Sequence, residues 1–134
     1  MSEPMRCKVV NPERLVFDEA ATFVVLPGAA GEMGVYVNHA PLVTTLGTGT
    51  VKAVLESGEE VLIAITGGYA EVDGQSVIVL ADRALPVPEI DDARALQSIE
   101  DIKAIIASLD VDDPGLPYQK AKLAWVEMLH KLAG

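Results

Sequence analysis

The chain has 134 residues, half of them hydrophobic, which is enough for one ordinary domain or a small domain with an appendage. Its 20 acidic and 10 basic residues give a formal charge of -10. That sets aside nucleic acid and argues against direct electrostatic binding to a membrane surface, since both need clustered Lys and Arg. The single cysteine, Cys7, leaves no intrachain disulfide and no thiolate metal cluster, which fits a reducing compartment. The stretch Met-Ser-Glu-Pro at the start shows no basic region followed by an apolar run, so no signal or transit segment is expected. No apolar run approaches the about 20 residues that span a bilayer, so no transmembrane segment is expected either.

Up to Pro88 the pattern is β. "CKVVN" (7–11) alternates as a strand does, with Cys7 expected as a small buried hydrophobe. "ATFVVLPG" (21–28) is an apolar run stopped by Pro-Gly. "GVYV" and "LVTTL" flank a bend that holds Asn38, His39, Ala40 and Pro41. "GTVKAVLE" (49–56) and "EEVLIAIT" (59–66) are split by Ser57-Gly58, a hairpin signal. "YAEV" (69–72) and "QSVIVL" (75–80) are split by Asp73-Gly74, which suits the positive φ angles of a type I′ turn. Gly67-Gly68 reads as a bulge or a close backbone crossing, because a phosphate loop needs a following helix and usually a Lys. Short strands with regular turn punctuation predict a β-sandwich or a flattened barrel.

After Pro88 the period becomes helical. Leu96, Ile99, Ile102, Ile106 and Leu109 share one stripe, with Asp91 as N-cap and Ile90 as a staple against Ala95. A second helix is expected from about Pro117 to about Leu132 with the stripe Ala121, Trp125, Met128 and Leu132, and with Leu129 beside it. The two read as an antiparallel hairpin with little core of its own, and so as the part most able to move. The expected division is a β domain over 1–88 and a helical hairpin over 89–134.

Catalysis finds little to stand on. The two histidines, His39 and His130, fall in different halves. No Gly-x-Ser-x-Gly elbow, His-x-x-x-His or Cys-x-x-Cys spacing occurs. The acidic pairs Glu59-Glu60, Asp91-Asp92 and Asp112-Asp113 sit at turns or helix starts, where solvation and the helix dipole account for them. A histidine in a turn is more often a hydrogen-bonded structural or contact residue than a catalyst.

The segments "NPERLVF", "GEMGVYVNHAPLVTTLGTGTV", "ITGGYAEV", "VIVLAD" and "EIDDARA", followed by a helical hairpin, stand in an order that resembles the epsilon subunit of bacterial F-type ATP synthases, the counterpart of the mitochondrial delta subunit. The resemblance covers almost the whole chain. It implies mainly β plus α: an N-terminal β-sandwich of about ten strands followed by a C-terminal two-helix hairpin. It implies a non-catalytic rotor subunit, peripheral on the cytoplasmic side of the bacterial membrane. Such a subunit couples proton or sodium flow through the c-ring to ATP synthesis by way of the gamma subunit. Glu32 then takes the place of the acidic residue facing the c-ring, and His39 with Pro41 lies at or near gamma. The family pattern often has Pro-Gly before this histidine, where Val37-Asn38 stands here; Asn also tolerates left-handed backbone.

The hairpin, in that family, inhibits ATP hydrolysis when it extends into the alpha/beta head. Lys120, Lys122, His130 and Lys131 are the residues here that could meet acidic surface there; a merely solvated face is the other reading. Some members bind ATP on the folded hairpin through Ile/Leu-Asp-x-x-Arg-Ala, and Ile90, Asp91, Arg94 and Ala95 match it. Arg94 would meet phosphate, Asp91 would hold the helix start or the nucleoside, and Lys131 could add charge. Asp101 stands where ATP binders usually carry a second Arg, so ATP is at most a weak regulatory ligand and no cofactor is required. An ATP-sensing module is the alternative function.

Overall fold

The computed structural model describes residues 3–134, and the chain divides between Pro86 and Val87 into two compact units. The first holds β1 Met5–Val10, β2 Leu15–Gly28, β3 Gly31–Tyr36, β4 Leu42–Thr45 and β5 Gly49–Leu55. It continues with β6 Glu60–Thr66, β7 Tyr69–Val72, β8 Ser76–Leu80 and β9 Arg83–Pro86. The second holds a short 3-10 turn, Val87–Glu89, and two helices, α1 Asp92–Ser108 and α2 Leu116–Ala133.

Pairing runs β4-β7-β8-β1-β2-β5-β6-β9, with β3 added to β2. Only β1 and β8 run parallel. The arrangement is a β-sandwich because β2 serves both layers. Its first half pairs with β1, from Val9↔Phe17 to Met5↔Ala21. Its second half pairs with β3 and β5, through Phe23↔Tyr36 and Val25↔Lys52. The β2–β5 register slips between Ala21 and Phe23, the irregularity at which a strand bends. There the Thr22 hydroxyl donates to the Val54 carbonyl at 3.2 Å.

Alternation explains the core. In β1, Met5, Cys7 and Val9 point inward while Arg6 and Lys8 do not. Cys7, Val9, Val77 and Val79 from one layer join Val24, Leu26, Val51, Ile63 and Ile65 from the other in one buried cluster. Each large aliphatic side chain buried this way contributes about 1.5–3 kcal/mol. Burial, and secondarily the Asp18 charge, pushes the Cys7 thiol up to about 12, so it is an inert hydrophobe.

Several expectations change in detail. β2 begins at Leu15 rather than Ala21, and β9 is a strand that the sequence reading leaves out. At Asp73-Gly74 only Gly74 has positive φ, so the turn is not type I′. Asp73 instead uses its carboxylate, accepting from the backbone N–H of Gln75 at 3.0 Å and of Ser76 at 2.7 Å. Those bonds hold the Asp73 carboxyl below the usual carboxylate range. Gly67-Gly68 is a close crossing: a Cβ on Gly68 would lie 1.9 Å from the Leu80 carbonyl oxygen.

In the second unit Asp91 is the N-cap, its carboxylate accepting from the Arg94 backbone N–H at 3.1 Å. The buried stripe of α1 is Ala95, Ile99 and Ile102, while Leu96 is 45% exposed. On α2 the buried residues are Leu116, Trp125, Val126 and Leu129; Ala121 is exposed, and Met128 and Leu132 are half-buried. The expected α1 stripe thus holds at Ile99 and Ile102 and differs at its start, where Ala95 replaces Leu96; on α2 Trp125 and the neighbouring Leu129 stay buried, and Leu116 and Val126 join them in place of Ala121. Apolar residues flank both stripes, so periodicity alone leaves that choice open.

Candidate functional site

Glu32 sits near the start of β3, exposed and paired across from Pro27. The turn beside it is tight: a Cβ on Gly28 would meet the Gly31 carbonyl oxygen at 2.6 Å. It is also braced from outside. The Ala29 N–H donates to the Thr45 carbonyl at 3.0 Å, and the Gly47 N–H donates to the Pro27 carbonyl at 2.9 Å. Glu32 is thus an exposed carboxylate on a well-fastened hairpin.

His39 lies beyond the other end of β3, a strand of six residues and so ~20 Å long. Glu32 and His39 therefore mark two separate places on the sandwich. Asn38 takes φ 69, the one positive φ at a non-glycine among the described residues. Its N–H donates to the Gly74 carbonyl at 2.8 Å, which packs the histidine turn against the β7–β8 turn. The His39 ring is oriented by main chain: its Nδ1 lies 2.8 Å from the Ala40 carbonyl, which can only accept. No side chain is hydrogen-bonded to it among the described residues, so the orienting carboxylate of a catalytic triad is not in place. Ala40 and Pro41 are exposed beside it.

Near this turn, apolar and aromatic side chains face outward. Tyr36 is 65% exposed and stacks on Phe23 with ring centroids 4.3 Å apart. Val43 is 69% exposed on β4, an edge strand. At the opposite end of β7, where Tyr69 pairs with Thr45, Tyr69, Leu80 and Val10 form one cross-strand row over β7, β8 and β1. With Asn11, Pro12, Gly68, Ala81 and Asp82 that row lines a cavity of about 420 Å³. The sequence reading misses this cavity because its walls come from separate segments that only the fold brings together.

The third place is the open end of the helical hairpin. Antiparallel packing of α1 on α2 brings the last turn of α2 to the first turn of α1. There His130 Nδ1 lies 2.6 Å from Asp92 Oδ1. Lys131 is next to it in sequence, so Asp91, Arg94 and Lys131 stand at the same end of the hairpin. Ile90 is half-buried and Ala95 is buried, so these two pack rather than present polar groups. Lys120 is exposed and Lys122 half-buried in the first half of α2, with Lys120 about 16 Å of helix rise from Lys131. The four cationic candidates of α2 therefore divide into two pairs instead of forming one patch. Asp101 accepts from the Gln97 side-chain amide at 2.9 Å, one turn along α1. The sequence reading assigned Asp92 only solvation and dipole roles; its pairing with His130 follows from the antiparallel geometry.

No cluster of three or more His, Cys, Asp or Glu side chains suited to a metal occurs among the described residues. No described helix is long and apolar enough to cross a membrane.

The family described as "ATP synthase, Delta/Epsilon chain, beta-sandwich domain" matches residues 4–87. An ATP synthase epsilon chain of Desulforamulus reducens is 44% identical over 95 residues, covering 71% of this chain and 71% of that protein. ATP synthase epsilon chain 2 of Ralstonia nicotianae is 37% identical over 125 residues, covering 93% of this chain and 88% of the other. Among solved structures, a chain of the Euglena gracilis mitochondrial ATP synthase assembly of OSCP, F1 and c-ring superposes with a TM-score of 0.81. It is 22% identical, and the match covers 100% of this chain and 84% of that one. A chain of the Tetrahymena thermophila mitochondrial ATP synthase central stalk and c-ring gives 0.63 at 12% identity, covering 98% of each. At those identities the structural matches speak for the fold.

Proposed function

Because the chain belongs to the ATP synthase delta/epsilon family, we propose that it is the epsilon subunit acting as a non-catalytic rotor part in the central stalk. In this role it joins the gamma subunit to the c-ring, so that proton or sodium flow through the ring is coupled to ATP synthesis in the alpha/beta head. It would work as a peripheral protein on the cytoplasmic side of the bacterial membrane.

The observation that carries this reading is the sandwich itself: a family match over residues 4–87 on a fold that presents its distinctive residues outward. Exposed Glu32 on its braced hairpin suits the polar loops of a ring. His39 and Pro41, with exposed Tyr36 and Val43 near them, suit a protein surface. Aromatic and aliphatic side chains left in water are what a buried interface needs at its centre.

The helical unit is proposed as the regulator. It begins just after Pro86 and is held by its own α1–α2 packing. Extended, it would meet the head through Lys120, Lys122, His130 and Lys131 and block hydrolysis. Two assays test the assignment. The full chain should co-purify with gamma, and a chain ending at Pro88 should do so equally well. The full chain should slow ATP hydrolysis by a head complex, and the chain ending at Pro88 should not. Equal inhibition by both forms refutes the regulatory role, and failure to hold gamma refutes the rotor role.

A weaker second reading, ATP sensing, is favoured by one observation: Asp91, Arg94 and Lys131 stand at one end of the hairpin. The Asp92 carboxylate there counts against phosphate unless His130 offsets it. Calorimetric titration with ATP, repeated on Arg94→Ala, decides it. No heat up to millimolar ATP removes this reading.

A further inference from the structure

We propose that the Asp92–His130 contact is a protonation-sensitive clasp on the open end of the helical hairpin. As a regulatory device it rests on the mobile-hairpin reading above. The two residues are 38 apart in sequence and lie at the helix ends farthest from the Leu109–Gly115 connection. When they part, covalent chain joins the helices only at the other end. Helix ends are where local opening starts, so a contact placed there governs separation more than one at the connection.

The chemistry follows from the atoms in contact. An ionised carboxylate only accepts, so the shared proton sits on His130 Nδ1. A neutral imidazole with its proton on Nδ1 can make this bond, and so can an imidazolium. The cation adds a full charge, and charge-assisted bonds are roughly twice as strong as neutral ones. Around His130, α1 supplies Asp91 and Asp92 against Arg94, α2 supplies Glu127 against Lys131, and the 3-10 turn packed on α2 supplies Glu89. The negative end of the α2 dipole adds to that sum, and the positive end of α1 opposes it. The clasp is therefore tighter at the acidic end of the imidazole range and looser at the alkaline end.

The test uses the full chain with cysteines placed at two exposed positions, Ala93 and Ala133, and labelled as a fluorescence donor–acceptor pair. Buried Cys7 stays unlabelled. Energy transfer is read from about pH 5.5 to about pH 8, the range in which imidazoles ordinarily discharge. The closed-to-open ratio of the ends should fall about two- to fivefold with rising pH, the span of an exposed pair. Asp92→Asn and His130→Gln should flatten the profile. His130→Lys should keep the ends together throughout, because an ammonium holds its charge over that range. A flat wild-type profile overturns the clasp, as does a slope that survives Asp92→Asn. Failure of the mobile-hairpin reading is read separately, as unchanged inhibition of the head by the chain ending at Pro88.

Discussion

Replacing Gly68 by Ala asks the sandwich to absorb one methyl group where there is no room. The new Cβ would lie 1.9 Å from the Leu80 carbonyl oxygen and 2.9 Å from the Ala81 Cα. Leu80 cannot retreat, because it is held between β7 through Tyr69 and β1 through Val10. Gly68 also has φ +95, which costs an L-residue about 1–2 kcal/mol by itself. Gly58→Ala supplies the control, since Gly58 has φ +90 and nothing within 4 Å of the added Cβ. Both variants carry the conformational cost, offset by about 0.4–1 kcal/mol from a stiffer unfolded chain. Only Gly68→Ala adds backbone overlap, which brings its total to about 3 kcal/mol, against about 1 for Gly58→Ala. The difference of about 2 kcal/mol is a factor of roughly 30 in the opening equilibrium. Trp125, the only tryptophan, lies in α2 and reports on the helical unit, so it is the wrong probe. Cys7 is the right one, because it is buried in the sandwich and reacts with a thiol reagent when that unit opens. Gly68→Ala should label about 30 times faster than Gly58→Ala under conditions where opening is at equilibrium. Labelling rates within about threefold of each other would refute the reading of this crossing as a fixed steric constraint.

Asp91→Ala removes the α1 cap and should cost the helical unit about 1 kcal/mol, read as a lower denaturant midpoint of Trp125 fluorescence with Cys7 protection unchanged. Asn38→Gly should leave the sandwich within a few tenths of a kcal/mol, whereas Asn38→Val should cost about 1–2 kcal/mol, because a branched residue resists φ 69. The Asp73 carboxyl is lowered in the folded chain, so its contribution is present above the unfolded value near 3.8 and lost as pH falls through the lower folded value. Acid unfolding of Asp73→Ala should therefore fall less steeply below about pH 4 than that of the wild type, measured by Cys7 labelling.

Much of the architecture could be read from local chemistry. The strands end where Pro-Gly, Ser-Gly and Asp-Gly fall, and Asp91 caps α1 because its carboxylate is one turn from the Arg94 N–H. Asn38 takes the left-handed backbone that the turn before His39 demands. What escaped reading depends on partners distant in sequence. The first half of β2 carries Asp18 and Glu19, which look like a loop until Arg6 of β1 is seen paired with Asp18. β9 ends in Pro86, acceptable in an edge strand that pairs only with β6. The candidate surface behaves the same way. Glu32 and His39 announce themselves by their turns, but the cavity beside Tyr69 and the Asp92–His130 contact exist only once the chain has folded.

The path of β2 has a mechanical consequence. One continuous backbone runs from the layer that holds β1 and β8 into the layer that holds β3 and β5. A force applied at Glu32 enters β3 and passes to β2 through the hydrogen bonds of the Phe23–Gly28 segment. From there it reaches the opposite layer along covalent bonds, not through the soft contacts of packed side chains. Sliding one layer over the other would have to stretch that tie, so the sandwich resists shear as a keyed joint does.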